Sequence, residues 1–111
     1  MLKLSIITEP DAKEGVMRIT TLPGEVLHLE FLVPLAMSAR QLAEKIDVPA
    51  NRLTDIIRGR RGISADTAQR LAVYFDTTPV FWMNLQANHD LSMAARENDY
   101  SRIKPRSGAA A

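Results

Sequence analysis

Six residues between Ser38 and Gly62 carry side chains suited to gripping an anionic polymer: Arg40, Asn51, Arg52, Arg58, Arg60 and Arg61. A guanidinium presents a planar fork of donors that fits phosphate oxygens or the guanine edge, and a carboxamide pairs in bidentate fashion with adenine. The methyl groups of Ala50 and Thr54 can touch thymine, and Asp55 can accept from cytosine. Asp55 lies on the same short stretch as Arg52 and Arg58, so its plainer expected role is to orient one of them through an ion pair. The other chemistry the chain offers is thin. His28, His89 with Asp90, and scattered carboxylates come without a glycine-rich phosphate loop, metal-ligand spacing or nucleophile context, so no enzyme, metal or cofactor is expected.

These residues need a scaffold, and the stretch SARQLAEKIDVPANRLTDIIRG, from Ser38 to Gly59, supplies one. Leu42, Ala43 and Ile46 share one face of a first helix, and Leu53, Ile56 and Ile57 share one face of a second. Ser38 suits the N-cap, Pro49 the first turn of the second helix, and Gly59 a left-handed C-cap. Only Asp47 and Val48 are left between the helices, so they cross steeply, as in a helix-turn-helix. In that motif the N-terminal part of the second helix meets base edges of double-stranded DNA, which selects Ala50, Asn51, Arg52, Thr54 and Asp55 as base-reading candidates. Ser38, Arg40 and Gln41 at the start of the first helix, with Arg58, Arg60 and Arg61 beyond the second, are placed for the DNA backbone. The turn residue Asp47 needs a left-handed backbone, which aspartate tolerates better than most residues.

Charge divides along the chain in the same sense. The 111 residues have a net charge of only +1, but residues 38–63 carry six cations against three anions, whereas residues 1–37 carry three against five. A local surplus matters more than the total, because phosphate neutralisation supplies much of DNA affinity. A solvated basic face is the alternative reading of Arg58, Arg60 and Arg61 taken alone.

The remaining elements follow from periodicity. Pro23-Gly24-Glu25 introduces a helix with Leu27, Phe31 and Leu32 on one side, ending near Pro34. Ser64 caps a helix over Ala65 to Phe75 with an apolar stripe of Ala68, Leu71, Ala72 and Phe75. Thr78-Pro79 starts a fifth helix whose Val80, Phe81, Trp82, Met83 and Leu85 make it apolar on more than one side. That surplus has two readings: Phe81 and Trp82 complete the core, or Phe81, Trp82 and Leu85 form the contact of a homodimer. The expected architecture is all-α, a five-helix helix-turn-helix domain over residues 23–93. An N-terminal arm, flexible or a short strand, occupies residues 1–22, and a helix end and disordered tail residues 94–111. The absence of cysteine, of an apolar run of roughly 20 residues and of a basic, apolar leader over Met1 to Pro10 fits a cytoplasmic protein without a membrane segment.

Taken together, PGEVLHLEFL before the helix-turn-helix, RGRRGISADTAQRLAVYF after the recognition helix, and FWMNLQANHDL further on resemble the HigA-type antitoxins, members of the repressor-like XRE helix-turn-helix family. The resemblance spans about Pro23 to Leu91. It implies a dimeric repressor that binds an inverted repeat in its own operon promoter and also holds a RelE-like, mRNA-cleaving ribonuclease toxin inactive. The acidic balance of the N-terminal arm and first helix makes them the expected toxin contact. A stand-alone repressor of phage or regulatory type, with the same DNA chemistry and no toxin, is the alternative.

Overall fold

The computed structural model describes residues 21–106, which form five helices and no strand among them. The arm expected over residues 1–22 lies outside the described residues except for its last two. Residues 21–90 belong to one compact unit, and the described residues from Leu91 onward to a second.

Helix α1 begins with Pro23–Val26 and continues as a π-helical segment, Leu27–Leu32, a local widening that the sequence pattern did not announce. Helix α2 is Ala39–Ile46, α3 is Ala50–Ile57, α4 is Ala65–Phe75 and α5 is Pro79–Glu97. The apolar stripes read from the sequence converge. Leu27, Leu42, Leu53, Ala68, Leu71 and Trp82 are fully buried in one core, with Leu32, Ala43, Ile46, Ile56, Ile63 and Ala72 around them. At its edge Phe31 of α1 stacks in tilted geometry on Phe75 of α4 at 4.8 Å and on Trp82 of α5 at 5.0 Å, which ties three helices through aromatic area.

Helix starts follow the expected chemistry. Ser38 and Gln41 form a reciprocal capping box: Ser38 Oγ accepts the Gln41 N–H at 3.0 Å and Gln41 Oε1 accepts the Ser38 N–H at 2.8 Å. Ser64 Oγ accepts the Thr67 N–H at 3.3 Å at the start of α4. Pro49 occupies the N-cap of α3, one residue before its first helical position, and contributes no side-chain bond.

The ends of α1 to α4 share one device, a left-handed residue followed by a closing hydrogen bond to the last turn. Ala36, Asp47, Gly59 and Asp76 have φ of 54°, 59°, 78° and 59°. The N–H groups after them, on Met37, Val48, Arg60 and Thr77, donate back to the carbonyls of Leu32, Ala43, Asp55 and Ala72 at 3.0, 3.0, 2.8 and 3.0 Å. This is the six-to-one closure of the Schellman motif, which satisfies carbonyls that the helix leaves without partners. The left-handed turn expected at Asp47 is present, so the helix-turn-helix crosses through residues 47–49.

Gly24 explains why the Pro-Gly-Glu start is needed. It is buried, and a Cβ placed on it would overlap the Ile56 carbonyl oxygen and come within 2.8 Å of Ile57 Cα. Backbone therefore meets backbone where α1 crosses the end of α3, and only glycine permits that approach. The described residues of the second unit are the last part of α5 followed by a turn, in which Ser101 N–H donates to the Asp99 carboxylate at 3.0 Å and Ile103 N–H to Tyr100 O at 3.1 Å.

Candidate nucleic-acid interface

The DNA-facing candidates separate once their partners are known. Asn51, on the exposed side of α3, is open to solvent, as are Ser38, Arg40, Gln41, Arg58, Arg60 and Arg61. Ser38 and Gln41 direct their capping atoms at each other's backbone, so what they offer a phosphate is the Gln41 amide and the Ser38 hydroxyl hydrogen. Ala50 is half-buried and packs against the core, and Thr54 donates its hydroxyl to the Ala50 carbonyl at 3.0 Å. Of the five base-reading candidates, Asn51 alone is exposed; the other four are half-buried.

Two expectations need correction. Asp55 orients neither Arg52 nor Arg58: its carboxylate lies 3.9 Å from Arg60, because the chain folds back after Gly59 and brings Arg60 over the last turn of α3. Arg52 instead reaches α4, where its Nη1 donates to Asp66 Oδ2 at 3.0 Å. Trp82 is also not a surface for a second copy. It is 0% exposed, its indole N–H donates to Thr77 Oγ1 at 2.8 Å, and the core reading of this residue is the one the structure supports. Phe81 at 36% exposure and half-buried Leu85 stay at the edge of the core.

Three residues to which the sequence assigned no role at the site, Asp66, Arg70 and Gln86, make its supporting contacts. Asp66 Oδ2 accepts from both Arg52 and Arg70, the latter through Nε at 3.0 Å, and these two guanidinia, Arg70 first, hold its carboxyl below the usual carboxylate range. Arg70 also donates Nη1 to the carbonyls of Ile46 and Asp47 at 2.9 and 3.3 Å, which fastens the turn itself to α4. Beyond α3, Gln86 of α5 accepts the Ile63 N–H at 2.7 Å and donates to Asp90 at 2.9 Å. That clamp fixes the end of the loop carrying Arg60 and Arg61. The i,i+4 spacing of Asp66 and Arg70 was a readable signal; their reach to α2 and α3 was not.

No group of His, Asp or Glu among the described residues could hold a metal ion, and no helix there is long and apolar enough to cross a membrane. The arrangement presents an exposed carboxamide on a helix of eight residues, flanked by exposed guanidinia, with the helix tied to α4 through Arg52 and the following loop tied to α5 through Ile63.

Comparison with known proteins agrees with this geometry. Residues 30–82 match the helix-turn-helix family model HTH_3. Virulence-associated protein I of Dichelobacter nodosus is 44% identical over 81 residues, covering 73% of this chain and 75% of its own length. A Pseudomonas aeruginosa protein solved in complex with its 18 bp operator DNA superposes with a TM-score of 0.76 at 44% identity, over 81% of this chain and 99% of that one. The P. aeruginosa antitoxin HigA, solved with the higBA promoter, gives 0.71 at 44% identity over 75% of this chain and 90% of its own. The buried stripes, the tight left-handed turn and these matches together establish that this chain belongs to the repressor-like XRE helix-turn-helix family, among its HigA-type members.

Proposed function

We propose that the protein is an antitoxin that represses its own operon: a homodimer whose α3 helices enter successive major grooves of an inverted-repeat operator, and which also binds and silences a RelE-like mRNA-cleaving toxin. The observation that carries the DNA half is the pairing of exposed Asn51 with exposed Arg40, Arg58, Arg60 and Arg61 on a backbone close to that of a protein solved on its operator. In this reading Asn51 reads a base edge and the arginines grip phosphates. The two α3 helices of the dimer sit about 34 to 36 Å apart, one turn of duplex, or a multiple of it. Phe81 and Leu85 on α5 are the contact proposed between the copies.

The toxin half is supported by the relative that is itself an antitoxin and by the character of α1, which exposes Glu25, Leu29 and Glu30 together. An acidic, partly apolar face suits a ribonuclease that must be basic to hold RNA. Co-expression with the product of the adjacent gene, followed by affinity capture and a promoter mobility shift, tests both halves. The expected result is a stable complex with a small basic protein and a salt-sensitive shift. A shift without any captured partner leaves a stand-alone repressor and removes the antitoxin reading.

A further inference from the structure

The exposed face of α3 accounts for base reading, but not for the cluster that Arg52, Asp66 and Arg70 build beside it. A single carboxylate oxygen, Asp66 Oδ2, accepts from Arg52 and Arg70 at 3.0 Å each. Arg70 is itself anchored on the Ile46 and Asp47 carbonyls. The acid is therefore pinned from behind, and Arg52 is the one member of the cluster that belongs to α3. The side chains of Arg52 and Asp66 are 28% and 57% exposed, and ion pairs that wet contribute little to fold stability. The effect of the pairing falls on what Arg52 can bind. A free guanidinium at that position grips any phosphate, because charge attraction carries no sequence information.

We propose that Asp66, which lies outside the helix-turn-helix, is a specificity-determining positioning residue: by holding Arg52 it suppresses sequence-independent phosphate binding and leaves the choice of site to the exposed side chains of α3, Asn51 first. The proposal rests on α3 being the DNA-facing helix. It is a repulsive device of the kind specific surfaces use against wrong partners, since a phosphate must displace a carboxylate to reach Arg52.

A double-mutant cycle with the full chain tests it. Fluorescence anisotropy follows binding to the duplex of the gene's own upstream region and to a scrambled duplex of equal composition, across a salt series, for the wild type, Asp66→Ala, Arg52→Ala and the double variant. Asp66→Ala should raise affinity for the scrambled duplex about tenfold, the scale of one charged hydrogen bond. It should also steepen the dependence of log affinity on log salt by about 0.9, one added phosphate contact. The ratio of upstream to scrambled affinity falls accordingly. In the Arg52→Ala background, Asp66→Ala should change neither quantity. Asp66→Asn covers the case in which the alanine variant does not fold, and Asp66→Glu should restore discrimination. An equal gain on the scrambled duplex in both Arg52 backgrounds, or an unchanged salt slope, overturns the proposal. A wild type that does not prefer the upstream duplex overturns the DNA-facing reading of α3 and this proposal with it, whereas a discriminating wild type with an additive cycle overturns this proposal alone.

Discussion

Gly24→Ala should destabilise the fold out of proportion to one added methyl group. The new Cβ would overlap the carbonyl oxygen of Ile56 and lie 2.7 Å from its carbon and 2.8 Å from Ile57 Cα, so no side-chain rotation relieves the clash. Two backbones must part instead. Moving α1 off α3 opens the contact around Leu27 and Ile56, both at or below 1% exposure, and overpacking of this kind costs about 1 to 3 kcal/mol. At roughly 0.1 kcal/mol per residue, a folded unit of this size has on the order of 7 kcal/mol to lose. A cost of about 2 kcal/mol then lowers Tm by about 8 to 16 °C. Thermal unfolding followed by far-ultraviolet circular dichroism measures it directly. A Tm within about 2 °C of wild type would mean that α1 does not pack backbone to backbone on α3, and the account of the Pro-Gly-Glu start would be wrong.

Other perturbations follow from named contacts. Ala36→Gly should raise stability by about 0.5 to 1 kcal/mol, because alanine at φ 54° carries left-handed strain that exceeds the extra chain entropy of glycine; a lower Tm would show that Ala36 is not strained. Trp82→Phe should cost about 1 to 3 kcal/mol in denaturant unfolding through the lost volume and the lost bond to Thr77, while leaving the oligomeric state in light scattering unchanged; dissociation of the assembly would contradict the core placement. Asp66 has its carboxyl pKa lowered in the fold, so its contribution is present above the unfolded pKa and is lost as pH falls through the folded one. Because its ion pair with Arg52 is open to solvent, wild type and Asp66→Asn should differ only slightly in Tm at pH 7, and that gap should close as pH falls below the ordinary carboxylate range; a gap that stays constant with pH rules out the ion cluster as its source.

What could be read from the sequence was local. Ser38 and Ser64 announced two helices because capping is decided within three residues, and Leu42, Leu53 and Leu71 fell into the core because helical periodicity orders them. Asp47 was legible as left-handed from the shortness of the turn around it. Ala36 and Asp76 end their helices in the same way, but alanine carries no compositional cue for that backbone. Trp82 left two readings open because an apolar face on α5 looks the same whether another helix or another chain covers it. Asp66 with Arg52 and Arg70 with Ile46 were invisible for a different reason: those partners are 14 and 24 positions apart, and no local rule fixes which side chains meet when helices cross. Among the candidate site residues, exposure separated Asn51 from Ala50 and Thr54, a distinction that helix spacing alone does not draw.

The central claim is that α3 reads DNA through its exposed face. The most direct measurement is a titration of wild type and Asn51→Ala against the upstream duplex and its single-base-pair variants at fixed salt. The account predicts that wild type discriminates at the pair Asn51 contacts and that the variant loses about 1 to 3 kcal/mol of preference there while keeping its preferences elsewhere. A substitution at Asn51 that leaves every base-pair preference intact, or a wild type indifferent to all of them, contradicts it.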